Sequence, residues 1–286
     1  MSKRILIVGG VAGGASVAAR LRRLDEFAEI IIFEKGPNIS FSNCSLPFHL
    51  SGIIENSEDL VLMNPEQLLK KYNIYAKVKQ VVIKINRYKK SVIVRDLDTR
   101  TEYEEAYDKL VLATGAIPIV PQIEGINNPN VFTIRNVEDI DKLNKYVRSD
   151  KVRDIVIVGG GFIGIEVAEN LKLSHADYNI SIVAARDQIM ATFDYDMAQI
   201  LQKEFMDKGV NLILEDGIVK IADDYIELAS GRKISAQAVI VTKGVSPETT
   251  LAKEAGLEIG ETGGITVDNN YLTSDKDIYA VGDVIE

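Results

Sequence analysis

The sequence predicts an α/β protein, because one pattern of buried strand, glycine-rich turn and helix occurs twice in its 286 residues. In the first copy, the apolar run Ile5–Val8 leads into the turn Gly9–Gly14 and an alanine-rich helix pattern. In the second copy, Ile155–Val158 leads into Gly159–Gly164. Both copies are typical of Rossmann-like units, in which the glycine turn and the helix N-terminus receive a dinucleotide pyrophosphate.

The first copy is followed by an acid at a suitable distance. A second apolar strand, Ile30–Phe33, ends at Glu34, about 20 residues after the last turn glycine, where a dinucleotide fold places the acid that binds a ribose hydroxyl. Val11 departs from a strict G-x-G-x-x-G pattern, which has glycine there. The agreement of strand, turn, helix and acid favours a dinucleotide site over a tight turn without a ligand.

The second copy satisfies the glycine pattern in full but lacks the acid. Its following strand, Ile180–Val183, ends in Ala184-Ala185-Arg186. Arg186 is either a contact for the 2′-phosphate of NADPH or a solvated surface residue, so NADH and NADPH both remain open. Two dinucleotide sites in one chain predict hydride exchange, most simply between a nicotinamide and a flavin.

Proline-containing segments predict how the two units are connected. The stretch from Ala116 to Pro121 is interpreted as a crossover into a second unit, and Ser246-Pro247-Glu248 as the return. We therefore expect residues 1–116 and 244–286 to form one discontinuous unit, with 117–243 inserted in it. A hairpin of Val78–Ile85 and Ser91–Asp96 is predicted within the first unit.

Composition indicates an ordinary globular protein, with 46% hydrophobic and 26% charged residues. The net charge of −9 gives no support for nucleic-acid binding, and no apolar run reaches the roughly 20 residues that cross a bilayer. We expect no membrane association, no signal peptide and no metal site. A single cysteine favours a reducing, cytoplasmic location.

Cys44, the only cysteine, is the proposed chemical centre. A lone cysteine has no internal partner, so its redox cycle passes through a sulfenic acid, a persulfide or a mixed disulfide with a small thiol. Asn43 as N-cap, Pro47 in the first turn and Gly52 as the stop predict a short helix with Cys44 at its positive end, which favours the thiolate. The alternative is an inert, buried cysteine.

Several motifs occur in order along the whole chain: Gly9–Gly14, Phe33–Lys35, Ser40–Pro47, Ala113–Gly115, Thr133–Asn136, Gly159–Glu166 and Tyr279–Asp283. Through these motifs the sequence resembles the FAD-dependent pyridine nucleotide-disulfide oxidoreductases, and within them the single-cysteine branch of coenzyme A-disulfide reductases, CoA-persulfide reductases and NADH oxidases. Val11 in the first turn is itself a mark of this branch.

The resemblance implies an FAD domain made of the two chain ends and an inserted NAD(P) domain. Asp283 would bind the flavin ribityl or phosphate region, Glu34 the adenosine ribose, and Cys44 would lie beside flavin C4a. Hydride would pass from the nicotinamide to flavin N5, and the electrons would then reach the sulfur and release thiols. The implied cofactor-binding residues are Gly9, Gly10, Val11, Ala12, Gly13, Gly14, Glu34, Lys35, Asn43, Ala113, Thr114, Gly115, Arg135, Gly159, Gly161, Phe162, Ile163, Gly164, Glu166, Arg186, Gly244, Gly282 and Asp283.

The resemblance also implies contacts to a CoA-type substrate. Ser16, Arg20 and Arg23 have the spacing of one helical face, on which two arginines would clamp CoA phosphates, although a solvated helix face has the same pattern. Ser40 and Asn43 match substrate-contacting positions, and Lys71 is a looser match.

The favoured hypothesis is NAD(P)H-dependent reduction of CoA disulfide, CoA persulfide or polysulfide through Cys44. A water-forming NADH oxidase is the first alternative. It is disfavoured because such oxidases commonly carry a histidine in the first glycine turn, where this sequence has Val11-Ala12. A non-catalytic nucleotide-binding fragment is the second alternative. His49 is expected on a helix surface, with tuning of the Cys44 thiol as the alternative, and His175 is expected at a helix end. The family's dimerisation domain has no counterpart here, so we expect a fragment of a homodimeric parent, with a monomer and weakened FAD binding as expectations for the chain itself.

Overall fold

A computed structural model describes residues 2–286 and divides them into two units. The first unit contains the chain up to Ser42, Val61–Ile117 and Ser246–Glu286. The second unit contains Asn43–Leu60 and Pro118–Val245. These boundaries lie close to the expected crossovers, except that the segment Asn43–Leu60, which includes Cys44, groups with the second unit.

The first unit is a parallel sheet with helices and an additional antiparallel sheet. Its elements are β1 (Arg4–Val8), α1 (Ala12–Leu24), β2 (Glu29–Glu34), α3 (Pro65–Tyr72), β3 (Ile74–Val78), β4 (Gln80–Asn86), β5 (Ser91–Asp96), β6 (Glu102–Ala106), β7 (Lys109–Leu112), α7 (Thr250–Glu254) and β18 (Ile278–Ala280). The parallel sheet has the order β18-β7-β1-β2-β3, and β4, β5 and β6 form the antiparallel sheet. The predicted hairpin is therefore present, with its first strand starting at Gln80 rather than Val78.

Both faces of the first parallel sheet are buried, which explains its continuous apolar strands. Leu6 and Val8 pack with buried side chains of β4, β5 and α7 on one face. Ile5 and Ile7 pack on the other face, with Ala18 of α1 and Leu68 of α3 among their neighbours. The sheet is thereby held between two layers, as in a doubly wound α/β fold.

The second unit repeats this plan. Its elements are α2 (Leu46–Ser51), β9 (Val131–Phe132), α4 (Val137–Val147), β10 (Asp154–Val158), α5 (Phe162–Ser174), β11 (Asn179–Val183), α6 (Tyr195–Asp207), β12 (Asn211–Ile213), β13 (Ile218–Ile221), β14 (Tyr225–Leu228), β15 (Lys233–Ser235) and β16 (Ala238–Val241). A parallel sheet has the order β12-β11-β10-β16-β9, and β13, β14 and β15 form a small antiparallel sheet. At the two crossovers, β8 (Ala116–Pro118) pairs with β17 (Val245–Pro247).

The fold class expected from the sequence is confirmed, with two Rossmann-like sheets each built around a strand that precedes a glycine turn. Within residues 2–286, no helix has the length and apolar character that a membrane span requires.

Candidate active site

The first glycine turn lies at the carboxyl edge of the first sheet. Val8 is in register with Phe33 of β2 and Leu112 of β7. Ala113 N donates to Val8 O at 2.8 Å, and Val281 N donates to Leu112 O at 3.0 Å. The structure therefore brings together a set that we call the first glycine edge: Gly9–Gly14, Glu34, Ala113–Gly115 and Val281–Asp283.

Glu34 is buried at this edge and its carboxylate is held by backbone amides. Gly10 N donates to Oε2 at 2.8 Å and Gly36 N donates to Oε1 at 2.7 Å. A carboxylate has about four acceptor positions, so these two bonds fix its orientation and leave capacity for a hydroxyl donor. The predicted ribose-binding acid is thus oriented by the turn itself, whereas Lys35 beside it is exposed.

The N-terminus of α1 suits an anionic group. Its N-cap, Val11, provides no side-chain hydrogen bond, and its first turn contains no acidic residue. The first amide N–H groups of any helix lack intrahelical partners and lie at the positive end of the helix dipole. Together with the oriented carboxylate of Glu34, this arrangement fits the pyrophosphate and ribose of an FAD molecule.

The second sheet has an equivalent edge. Val158 is in register with Val183 of β11 and Val241 of β16, and β16 pairs with β9. The residues after these strand ends form the second glycine edge: Gly159–Gly164, Ala184–Arg186, Thr242–Gly244 and Thr133–Asn136. Arg135 lies there just before α4, with its backbone N–H bonded to Asp139, and Gly244 is exposed.

Gly161 and Gly159 have different physical roles in the second turn. A Cβ at Gly159, where φ is +121°, would collide with the carbonyl oxygen of Thr242. A Cβ at Gly161 would meet no atom of the described chain, residues 2–286, within 4 Å, and the φ of −87° at this position suits any residue. The fold therefore requires Gly159, whereas glycine at 161 leaves open surface at the start of α5. That surface fits close approach of a dinucleotide phosphate.

Ala184 occupies the position that Glu34 has in the first unit. Val158 pairs with Val183 as Val8 pairs with Phe33, so the residues after Val183 and Phe33 are structurally equivalent. Ala184 is buried and offers no carboxylate, and Arg186 is exposed two residues later.

Phe162 and Glu166 follow the second turn on α5. Phe162 is exposed, and its ring contacts Phe193 edge-to-face with centroids 6.0 Å apart. Burial raises the pKa of the Glu166 carboxyl, and the neighbouring Glu169 adds to this effect.

Cys44 is exposed, in agreement with a reactive rather than an inert thiol. Its predicted helical context is partly wrong. Asn43–Ser45 form a 3₁₀ turn, α2 begins at Leu46, and Ser45 rather than Asn43 is the N-cap. Gly52 ends α2 in the left-handed conformation as predicted. The tighter turn arises because Pro47 is buried in the first turn of α2 and cannot donate a backbone N–H.

Asn43, next to the cysteine, has a buried amide oxygen. Oδ1 has no hydrogen-bond partner within the part of the chain that the structure describes. Buried amide oxygens are normally bonded, and a donor on a bound molecule would satisfy this one. The observation fits the predicted contact between Asn43 and a cofactor or substrate.

His49 is buried, so the expectation of a helix-surface histidine is wrong. Nδ1 lies 2.8 Å from Ile54 O, and Nε2 lies 2.9 Å from Nδ2 of Asn144 on α4. The apolar side chains around His49 in α2 signalled burial, but nothing in the sequence indicated Asn144 as its partner. His175 caps the end of α5, as expected.

The predicted CoA-contacting residues of the first unit are available at its surface. Ser16, Arg20 and Arg23 are exposed on α1, and Lys71 is exposed in the last turn of α3. Arg22 differs, because its guanidinium donates to backbone carbonyls that include Tyr72 O at 2.8 Å. Arg20 and Arg23, which are predicted to contact CoA, are thus distinct from Arg22, which has a structural role.

No group of metal ligands occurs among residues 2–286.

A family model for pyridine nucleotide-disulphide oxidoreductases matches residues 3–286. The chain belongs to this family.

Its relatives include reductases of sulfur compounds. A coenzyme A disulfide reductase of Staphylococcus haemolyticus is 31% identical over 99% of this chain and 63% of its own length. The reduced CoADR-RHD of Bacillus anthracis is 42% identical, with a TM-score of 0.96 over 100% of this chain and 52% of its own. An NAD-dependent persulfide reductase from A. fulgidus is 33% identical, with a TM-score of 0.95 over 99% of this chain and 53% of its own. The chain therefore spans about half to two thirds of the length of these relatives.

Proposed function

We propose that this chain forms the nucleotide-binding part of an NAD(P)H-dependent flavoprotein that reduces CoA disulfide, CoA persulfide or polysulfide through Cys44. The observation that carries the proposal is the exposed Cys44 thiol in a chain with two glycine edges, next to the buried Asn43 oxygen that has no hydrogen-bond partner among residues 2–286. The similar proteins named as a coenzyme A disulfide reductase and a persulfide reductase support the same chemistry.

The first glycine edge would hold FAD, with Glu34 at the adenosine ribose, the N-terminus of α1 at the pyrophosphate and Asp283 nearer the flavin. The second glycine edge would hold NADH or NADPH, with Gly161 allowing close approach and Arg186 near the adenosine ribose. A bound flavin supplies two-electron transfer between a nicotinamide and a sulfur acceptor.

Cys44 supplies the group that attacks the substrate. Its thiolate displaces one CoA thiolate from CoA disulfide, forming a mixed disulfide between Cys44 and the second CoA. Two electrons, originating from NAD(P)H, then cleave this mixed disulfide, and protonation yields the second CoA thiol while the Cys44 thiolate is restored. With a CoA persulfide, the Cys44 thiolate takes the outer sulfur and CoA thiol is released. Two electrons, originating from NAD(P)H, then cleave the S–S bond of the resulting Cys44 persulfide, which releases sulfide and restores the Cys44 thiolate.

Charge and hydrogen bonding supply substrate recognition in this proposal. CoA carries several phosphate charges, and the exposed guanidinium groups of Arg20 and Arg23 would bind them bidentately. Asn43 would accept a hydrogen bond beside the reacting sulfur. A cytoplasmic location and homodimeric assembly are part of the same proposal: free thiols persist in a reducing compartment, and the family resemblance implies a homodimer.

The experiment that tests the proposal is NADH and NADPH oxidation by the FAD-loaded protein without oxygen, in the presence of CoA disulfide or CoA persulfide. Turnover with either CoA compound supports the proposal and ranks the two substrates. Turnover only after oxygen is added back would replace it with an NADH oxidase. NAD(P)H binding without FAD retention or turnover would indicate the non-catalytic fragment.

A further inference from the structure

Ser40 has an unusual backbone conformation four residues before Cys44. Its φ is +52°, in the left-handed region that costs a non-glycine residue about 1 to 2 kcal/mol. Both of its backbone polar groups are bonded within the first unit. Ser40 N donates to Gly10 O at 2.9 Å, and Ser40 O accepts from Leu62 N at 2.9 Å. These bonds hold the chain in a conformation that the residue type does not favour.

The same backbone feature occurs in the second unit. Met190 has a φ of +49°, and its N–H donates to Gly160 O at 2.6 Å. Ser40 and Met190 each lie 30 residues after the second glycine of their turn, and each follows an isoleucine that packs against that glycine. Serine and methionine have no polar group in common. What the two units share is therefore the backbone contact with the glycine turn, not the side chain.

In the first unit, this feature comes just before a segment that belongs to the other unit. The chain leaves the first unit after Ser42, contributes Asn43–Leu60 to the second unit and re-enters the first unit at Val61. Phe41 forms an antiparallel bridge with Val61, adjacent to the bond between Ser40 and Leu62. Two pairs of residues thus hold the ends of the Cys44 segment together. We call this set the stem: Ser40, Phe41, Val61 and Leu62.

The stem is bonded directly to the first glycine edge through Gly10. The N–H of Gly10 donates to Glu34, and its carbonyl oxygen accepts from Ser40. Gly10 therefore connects Glu34, whose carboxylate is oriented by the turn, with the base of the segment that carries Cys44.

We propose that Ser40 is a positioning residue for Cys44 that acts through its backbone: the stem fixes the backbone conformation of the chain where it enters and leaves the Cys44 segment. The catalytic consequence rests on the proposed function, but the control of Cys44 placement does not. The proposal differs from the contact between the Ser40 side chain and CoA that the family resemblance implies.

Leu62→Pro tests the stem most cleanly. It removes the N–H that Ser40 O accepts, and the Leu62 side chain is 67% exposed, so no core packing is lost. Leu62→Ala is the matched control, because it shortens the same side chain and keeps the N–H. Circular dichroism and thermal melts establish that each variant is folded.

The first readout is the second-order rate of Cys44 alkylation by iodoacetamide, followed by mass spectrometry. We expect Leu62→Pro to change this rate about fivefold or more, as for loss of one backbone hydrogen bond, with Leu62→Ala at the wild-type rate. The second readout is turnover with CoA disulfide, where Leu62→Pro is expected to lower kcat while the KM for NAD(P)H stays within about twofold. Equal alkylation rates for the proline and alanine variants would overturn the proposal.

Substitutions at Ser40 separate its backbone from its hydroxyl. Ser40→Gly adopts positive φ freely and Ser40→Ala retains a small side chain, whereas the β-branched Ser40→Val opposes this conformation. Alkylation close to the wild-type rate is expected for the first two variants and an altered rate for the third. Altered rates for all three variants alike would contradict a backbone role. Met190→Val, the equivalent change in the second unit, should leave Cys44 alkylation unchanged.

Alkylation needs neither CoA nor turnover, so the two proposals fail in different ways. A Cys44 alkylation rate in Leu62→Pro equal to that of the wild-type protein would contradict the role of the stem, whatever the substrate of the enzyme is. Altered alkylation in that variant, together with no turnover of CoA compounds by the wild-type protein, removes the proposed function and retains the stem.

Discussion

The side-chain amide of Asn144 donates a hydrogen bond to Nε2 of His49 over 2.9 Å. Nδ1 of the same ring bonds to Ile54 O, which is an acceptor only, so Nδ1 carries the proton and Nε2 is the acceptor. Asn144 Oδ1 in turn accepts from Arg148 Nε at 2.7 Å, which fixes the orientation of the amide. The short helix that follows Cys44 is thereby bonded to α4 through a neutral, buried imidazole.

Replacement of Asn144 by leucine is expected to destabilise the protein. The change leaves Nε2 of the buried His49 without a donor, which costs about 1 to 3 kcal/mol. Urea unfolding gives the loss. Asp141→Asn is the control, because the Asp141 carboxylate lies 3.4 Å from Nε2 but is 48% exposed and has no opposite charge to pair with on a neutral imidazole, so its loss should cost less than about 1 kcal/mol. Equal losses in the two variants would show that the amide has no special role.

Gly159→Ala and Gly161→Ala should separate folding from nucleotide binding. A Cβ at Gly159 collides with Thr242, so the free energy of unfolding should fall by about 1 to 3 kcal/mol. A Cβ at Gly161 meets no atom of residues 2–286 within 4 Å, so stability should change by less than about 1 kcal/mol, while NAD(P)H affinity falls about tenfold or more. Thermal melts and fluorescence titration measure both quantities. Unchanged NAD(P)H affinity in Gly161→Ala would place the nucleotide elsewhere.

A carboxylate at position 184 should shift nucleotide preference toward NADH. Ala184→Glu copies Glu34, whose carboxylate accepts from Gly10 N in the first unit. The new carboxylate would bond the adenosine ribose hydroxyl of NADH and repel the 2′-phosphate of NADPH, so the ratio of the two dissociation constants should move about tenfold. Arg186→Ala provides the complementary variant, with a selective loss of NADPH affinity. Ratios that do not move in either variant would contradict this assignment of the ribose position.

Acid stability should depend on Asp277. Hydrogen bonds from the ammonium groups of Lys90 and Lys109 lower the pKa of this carboxyl to about 2. Because the folded-state pKa lies below the unfolded value of about 4, its stabilisation is present above that pH and disappears as the pH falls toward 2. Asp277→Asn should therefore be less stable at pH 7 and lose less stability between pH 4 and pH 2, measured by urea unfolding. The exposed Asp187, changed to asparagine, should keep the wild-type slope.

Much of the fold was predictable because its strands are buried on both faces. The apolar runs at Ile5–Val8 and Ile155–Val158 have no solvent-facing side, so their strand character follows from composition alone. The glycine turns were equally clear, since tight turns and close backbone approach restrict residue choice. The sequence itself also shows that no acid follows Val183 directly.

The features that escaped prediction depend on contacts distant in sequence. Positive φ at Ser40 and Met190 has no residue signature, because bonds to the glycine turns impose it. The hydrogen-bond partner of the buried His49 is Asn144, 95 residues away along the chain. The assignment of Asn43–Leu60 to the second unit likewise results from packing rather than local propensity.

In the proposed mechanism, Cys44 attacks the sulfur substrate and receives the electrons. The most direct measurement compares wild-type protein with Cys44→Ser, both loaded with FAD, in oxygen-free NAD(P)H oxidation with CoA disulfide or CoA persulfide. Each protein is also assayed with ferricyanide, an electron acceptor that needs no thiol. We expect Cys44→Ser to lose turnover of the CoA compounds by at least about a thousandfold and to retain ferricyanide reduction. Full turnover of a CoA substrate by Cys44→Ser would contradict the proposed role of this cysteine.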